Sequence, residues 1–286
     1  MSVSVLTIVR GRQSHLENLL AGLSQSHSSP NQWIVVGMDQ DVDLPDPMGL
    51  DIRHSRINGD GNRLPLAEAR NHAAELCRSE RMIFLDVDCI PSPDMIETFD
   101  TALSEDPRLW MGSPRYLPAG ATDDTWTLDE IASVAVPHPL QPDLAHHQRE
   151  PSTRYEMFWS LCFGITKTDF ATMGGFDPSF DGYGGEDTDF AFSARRSGIP
   201  FGFVGALAFH QHHPVCKPPL NHFHEIISNA KRFRAKWGEW PMSSWLESFQ
   251  TFGLVSFDPS QDRLEALRDP SEKEIEQATT LAPAGF

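Results

Sequence analysis

The 286 residues suit one large α/β core with an added tail, and 40% hydrophobic against 22% charged residues is the balance of an ordinary globular chain, which excludes wholesale disorder. Forty acidic residues against 23 basic give a formal charge of −17, which would repel a nucleic-acid polymer, although a small nucleotide can still bind if a divalent cation bridges carboxylates and phosphates. No run approaches the ~20 apolar residues of a membrane span, the first ten residues lack a basic leader, and four scattered cysteines (Cys77, Cys89, Cys162, Cys216) form no C-x-x-C pair, so a cytoplasmic protein with reduced thiols is expected.

Val3 to Val9 predicts a strand, and Leu16, Leu19, Leu20 and Leu23 fall on one face of a helix that ends at the turn from Ser24 to Pro30. Trp33 to Gly37 predicts the second strand. A Pro/Asp/Gly-rich region in which no element is read follows from Asp39 to Pro65, then an Ala-rich helix from Leu66 to Cys77 and a buried strand from Met82 to Leu85. Ser92-Pro93 offers a cap and a first-turn proline for a helix carrying Ile96, Phe99 and Leu103. Alternating strands and helices of this kind predict a parallel sheet with crossover helices. A strand near Pro114 to Leu117 opens a long, irregular excursion to Glu150. Periodicity returns at Phe158 to Thr166, and a Gly-dense turn (Met173 to Gly185) leads into a helix from Glu186 to Ser197 and a strand from Phe201 to Phe209. Leu220, Phe223, Ile227, Ala230, Phe233 and Trp237 mark a last amphipathic helix; from Asp258 onward seven acids, three bases and three prolines predict a loosely packed tail.

Three segments carry chemistry. Met82-Ile83-Phe84-Leu85 runs straight into Asp86-Val87-Asp88, which places two carboxylates at the carboxyl end of a buried strand, about 6.6 Å apart on one side and close enough to serve one cation and its phosphates. The plainer alternative is a pair of turn-forming aspartates ahead of a helix. Gly182-Tyr183-Gly184-Gly185-Glu186-Asp187 sets acids on the first turn of a helix, where dipole complementarity alone would favour them. Asp177, Asp181, Glu186 and Asp187 also suit a task in which one carboxylate, Asp187, takes a proton from a hydroxyl, others hold the acceptor's hydroxyls, and Tyr183 stacks on a sugar face. Five of the twelve histidines lie between His210 and His224; His210, ending a strand, is the best metal ligand among them.

Together these segments resemble the GT-A glycosyltransferases, specifically family 2 with a galactosyltransferase-like C-terminal half, from about Val3 to Leu254. The resemblance implies a GT-A α/β fold: a Rossmann-like nucleotide-binding half (1–110) with a mostly parallel central sheet flanked by helices, and an acceptor and metal half (111–257), followed by the acidic tail (258–286). It implies nucleotide-sugar contacts from Thr7, Val9, Arg10, Asp39, Arg70 (in an Ala69-Arg70-Asn71 segment like the family's A-R-N), Asp86, Gly184 and Gly185. It gives Mn²⁺ or Mg²⁺ on Asp88, with Asp86 facing ribose and metal and His210 as the further ligand, His212 and His213 being close by. Glu186 and Asp187 become the catalytic pair, Tyr183 and Asp187 the acceptor contacts. The implied reaction moves a sugar from a nucleotide-diphosphate sugar, a UDP-sugar first, to a carbohydrate or other hydroxyl with inversion and Asp187 as base. Retaining transfer on the same fold and a silent sugar- or nucleotide-binding homologue are the alternatives.

Overall fold

The computed structural model describes residues 3–44, 48–59 and 63–280. In chain order its regular elements are β1 (Val3–Val9), α1 (Gln13–Ser24), β2 (Gln32–Met38), β3 (Ile52–Ile57), α2 (Leu66–Leu76), β4 (Arg81–Leu85), β5 (Cys89–Pro91), α3 (Met95–Glu105), β6 (Leu109–Tyr116), α4 (Leu128–Val134), β7 (Val136–Pro137), β8 (Arg149–Ser152), β9 (Cys162–Thr166), α5 (Lys167–Met173), α6 (Glu186–Arg196), β10 (Phe201–His210), β11 (Val215–Cys216), α7 (Phe223–Trp237), α8 (Ser243–Thr251), β12 (Val255–Asp258), β13 (Arg263–Ala266), α9 (Glu272–Ala278) and β14 (Thr279–Thr280).

One sheet organises them in the order β3-β2-β1-β4-β9-β6-β10-β5. β3, β2, β1 and β4 run parallel, and β9 is antiparallel to both β4 and β6. β6 and β10 are parallel, and β5 closes the edge antiparallel to β10. β1 and β2 are buried along their whole length, as strands covered on both faces must be. Side chains alternate between two cores. Leu6, Ile8, Ile34, Val36 and Phe84 pack with Ala69 and Ala73 of α2 and Phe190 of α6. Val5, Val9, Val35, Ile83 and Leu85 pack on the other face with Leu16, Leu19, Leu20 and Leu23 of α1 and Phe99 of α3, which is why the leucine spacing of α1 was legible. All four cysteines are free thiols.

Three expectations need correction. The region from Asp39 to Pro65 contains β3, a half-exposed strand with only two apolar residues, too polar to betray itself by pattern. Ser92-Pro93 does not cap α3: β5 pairs with β10 through Pro91, a turn closes with the Met95 amide donating to the Ser92 carbonyl (3.1 Å), and α3 starts at Met95. The Ser92 hydroxyl makes no hydrogen bond among the described residues. Finally, residues 258–280 are not a loose appendage. β12 crosses the expected boundary at 257 and pairs with β13, β14 pairs with β11, and Leu264 and Ala278 are buried in a third core with Phe223, Ile226 and Phe249. Charge count missed this because two buried apolar residues suffice to dock a short hairpin and helix.

Candidate active site

β4 stops at Leu85, and a tight turn follows: the Asp86 amide donates to the Leu161 carbonyl (2.8 Å) and the Cys89 amide to the Asp86 carbonyl (2.9 Å). β5 then enters its antiparallel pairing with Cys89 opposite His210. That register brings a strand end more than a hundred residues away beside the second aspartate. Asp88, His210 and His213 present ligand atoms all within 4.8 Å of one another, the one such group among the described residues. His213 Nε2 lies 3.6 Å from Asp88 Oδ2; His212 stands outside the group. Although burial opposes ionisation, hydrogen bonding from His15 and the positive charge of Arg12 help to hold the Asp88 carboxyl at about 2, so it is an anion at neutral pH. Burial pushes His210 down to about 4, which keeps its imidazole neutral and able to donate a lone pair. An anionic oxygen and two imidazoles suit a borderline divalent cation. Tyr116 packs against His210 (ring centroids 4.9 Å) and His138 against Trp159 (4.6 Å), forming a wall beside the group.

Asp86, expected to share the cation with Asp88, stands outside this group. Its Oδ1 accepts from Arg70 Nη2 at 3.3 Å, and Arg70 Nη1 lies 3.6 Å from Glu186 Oε1. Arg70, buried on α2 over the Phe176 ring, therefore joins the aspartate of β4 to the acids of α6. The next residue of the same helix, Asn71, clamps the Gly-rich turn, donating to the Phe176 carbonyl (2.8 Å) and accepting from the Phe176 amide (2.9 Å). Burial raises Asp86 to about 6, with Arg70 pulling it down and Asp88 and Asp187 pushing it up. Burial likewise raises Glu186 and Asp187; Glu186's charge lifts Asp187 further, while the Thr188 amide, donating at 2.7 Å, opposes the rise. Asp86, Glu186 and Asp187 thus feel one another's charge around the Arg70 guanidinium. Beneath them the rings of Phe176 and Phe190 stack at 4.0 Å and those of Phe84 and Phe163 at 4.6 Å, a stiff apolar floor.

The turn itself depends on glycine. Gly182, Gly184 and Gly185 have φ of 74°, 93° and 88°, and Gly185 ends the turn as the residue preceding α6, which leaves no side-chain cap for the helix. A Cβ on Gly184 would approach the Met242 sulfur at 3.0 Å. Tyr183 between them is partly exposed, its ring stacked on His222 (4.4 Å) and Trp245 (5.8 Å), its amide donating to Glu225 Oε2 (3.0 Å).

At the same carboxyl end of the parallel strands, Arg10 and Asp39 follow β1 and β2 and form an ion pair at 3.6 Å. Asp39 Oδ1 accepts from the Gly59 amide (2.7 Å), whereas its buried Oδ2 accepts no hydrogen bond among the described residues. Val9 is buried beside them. Thr7 is not brought to this pair: it is buried within the sheet and its hydroxyl accepts from Trp33 Nε1 (3.0 Å). Asp177 and Asp181 are also committed, to Lys236 (2.8 Å) and Arg63 (2.6 Å). Pattern reading kept His213 as an alternative to His210 but missed His15, Arg12 and Tyr116, which only tertiary packing brings around Asp88 and its partners.

The family described as glycosyltransferase like family 2 matches residues 51–197. Among solved structures the chain is similar to S. aureus TarS 1-349 (12% identity, TM-score 0.53), covering 82% of this chain and 66% of that one. It is also similar to GalNAc-T7, solved with UDP, GalNAc and Mn²⁺ (14% identity, TM-score 0.53; 88% and 57% covered), and to TarS 1-349 in complex with UDP (13% identity, TM-score 0.52; 82% and 66%). The chain spans less than two thirds of these solved chains, and at such identities the likeness is one of fold. No curated protein matches the sequence.

Proposed function

The chain belongs to glycosyltransferase-like family 2, and from that premise we propose that it transfers a sugar from a nucleoside-diphosphate sugar, a UDP-sugar first, to an acceptor hydroxyl, with inversion and with Asp187 as base. The observation that carries the reading is Arg70, buried between Asp86 and Glu186, because it ties the strand end that would meet the donor to the helix end that would meet the acceptor. Similarity to folds solved with UDP, and in one case Mn²⁺, favours a uridine nucleotide and a cation.

Asp88, His210 and His213 fit a divalent cation by donor type and mutual distance and would hold it. When bound, such a cation supplies charge neutralisation for the departing diphosphate. Asp39, with one buried oxygen that accepts no hydrogen bond among the described residues, would accept from a base N–H, with Arg10 as its counter-charge. Asp187 takes the proton of the acceptor hydroxyl as that oxygen bonds to the anomeric carbon; the bond from this carbon to the diphosphate oxygen breaks, its electron pair leaving with the nucleoside diphosphate. A carboxyl raised above the ordinary range is a better base at neutral pH than a normal aspartate.

Asp187→Asn tests the assignment. Transfer should fall by about 10²–10⁴-fold, while the thermal shift caused by UDP plus Mn²⁺ stays as in the parent. Undiminished transfer removes Asp187 as base, and a product keeping the donor's anomeric configuration, read from its proton coupling, removes inversion.

A further inference from the structure

We propose that His15, on α1, is a positioning residue that occupies one oxygen of Asp88 so that only the other is offered to a metal ion. The inference rests on the reading of Asp88, His210 and His213 as cation ligands. His15 Nδ1 lies 2.5 Å from Asp88 Oδ1, and Arg12 Nη1 lies 3.5 Å from the same oxygen. His213 approaches the opposite oxygen, Oδ2, at 3.6 Å. The carboxylate is therefore divided: one oxygen faces a donor from α1, the other faces His213, just beyond β10.

His15 is itself held. Its carbonyl accepts from Nε2 of Gln211 (3.1 Å), a side chain with no exposed surface, whose main-chain amide donates to the Asp88 carbonyl (2.6 Å). Gln211 Oε1 accepts from Asn18 (2.8 Å), one turn along α1 from His15, and Asn18 accepts from Trp126 Nε1 (2.9 Å). A buried amide standing between His210 and His213 in sequence thus locks α1 to the end of β10 and the loop after it. A carboxylate free to rotate can chelate through both oxygens, the mode suited to large, flexible oxygen shells. One pinned through Oδ1 ligates through Oδ2 alone, which suits a smaller ion sharing its shell with imidazoles.

The test measures Mn²⁺ affinity of the full chain without substrate, from the electron paramagnetic resonance signal of free Mn²⁺, for His15→Ala, His15→Asn and His15→Gln. The amide nitrogen of Asn stands near the position of Nδ1 and that of Gln near Nε2. Affinity should fall about 10- to 100-fold in His15→Ala, recover largely in His15→Asn and stay low in His15→Gln. Unchanged affinity in a folded His15→Ala protein overturns the proposal. Should that variant fail to fold, equal affinities in the Asn and Gln variants overturn it instead. Asp88→Asn separates the two layers: if it binds Mn²⁺ as the parent does, the ligand reading itself falls and the proposal with it; if it loses binding while His15→Ala keeps it, only the role of His15 falls.

Discussion

Arg70 faces two carboxylates from inside the protein, and its removal would leave both without a counter-charge. Breaking a buried pair from one side costs about 3–5 kcal/mol, and here the cost depends on pH. Asp86 has a folded value of about 6 against an ordinary 3.8, so the native state binds more protons than the unfolded chain in that window, and stability falls as pH rises through it. Without Arg70 the window moves upward. Arg70→Met should therefore be far less stable than the parent at pH 8 and recover much of the difference at pH 5, as urea midpoints at the two values would report; an equal loss at both places the cost in packing. The same logic predicts that the acid limb of kcat/KM, governed by Asp187, lies above the ordinary carboxylate range. A limb near pH 4 would remove that link. At this scale Asp86, Asp88, Glu186 and Asp187 were legible because strand end and Gly-rich turn announce themselves. Asp189, two residues from Asp187, was not separable from it: it binds Lys236 (2.9 Å) and Trp237 (2.7 Å) on α7, and only tertiary packing assigns it to structure.

β10 shows how an element can carry a site. Its register shifts between Phe203 and Leu207, and Gly205 sits within that irregular stretch with its amide donating to the Gln148 carbonyl (2.8 Å). A Cβ there would lie 1.8 Å from the Ala145 carbonyl oxygen, a backbone atom that cannot rotate away. Gly205→Ala should cost about 1–3 kcal/mol and speed proteolysis of the segment around Ala145; an unaltered denaturation midpoint would mean that the segment shifts freely. Helix α1 was legible because a single apolar stripe meets one core, and α7 because its stripe stays apolar although it passes from the third core to the cluster of Phe180, Phe192 and Phe233. β3 and the start of α3 were not, since sheet pairing overrode the local pattern at both places.

For the molecule as a whole, the third core binds the last described residues to α7 and α8. Leu264→Ala should lower stability by about 2–5 kcal/mol, measured by chemical denaturation, whereas a free tail would leave the midpoint unmoved. The fold class was readable from the alternation of elements, but the docking of residues 258–280 was not, because it rests on a few apolar contacts amid a run of charge. Arg70 and Asn71 have one more outcome, for anyone recombining relatives. Adjacent positions on one helix reach across the junction near residue 110, the first to Glu186 and the second to the Phe176 backbone. A chimera grafting a foreign C-terminal portion at that junction would need its acid and its turn to match this helix, so crossovers that keep 66–196 from one parent should yield active hybrids more often than a cut at the apparent midline.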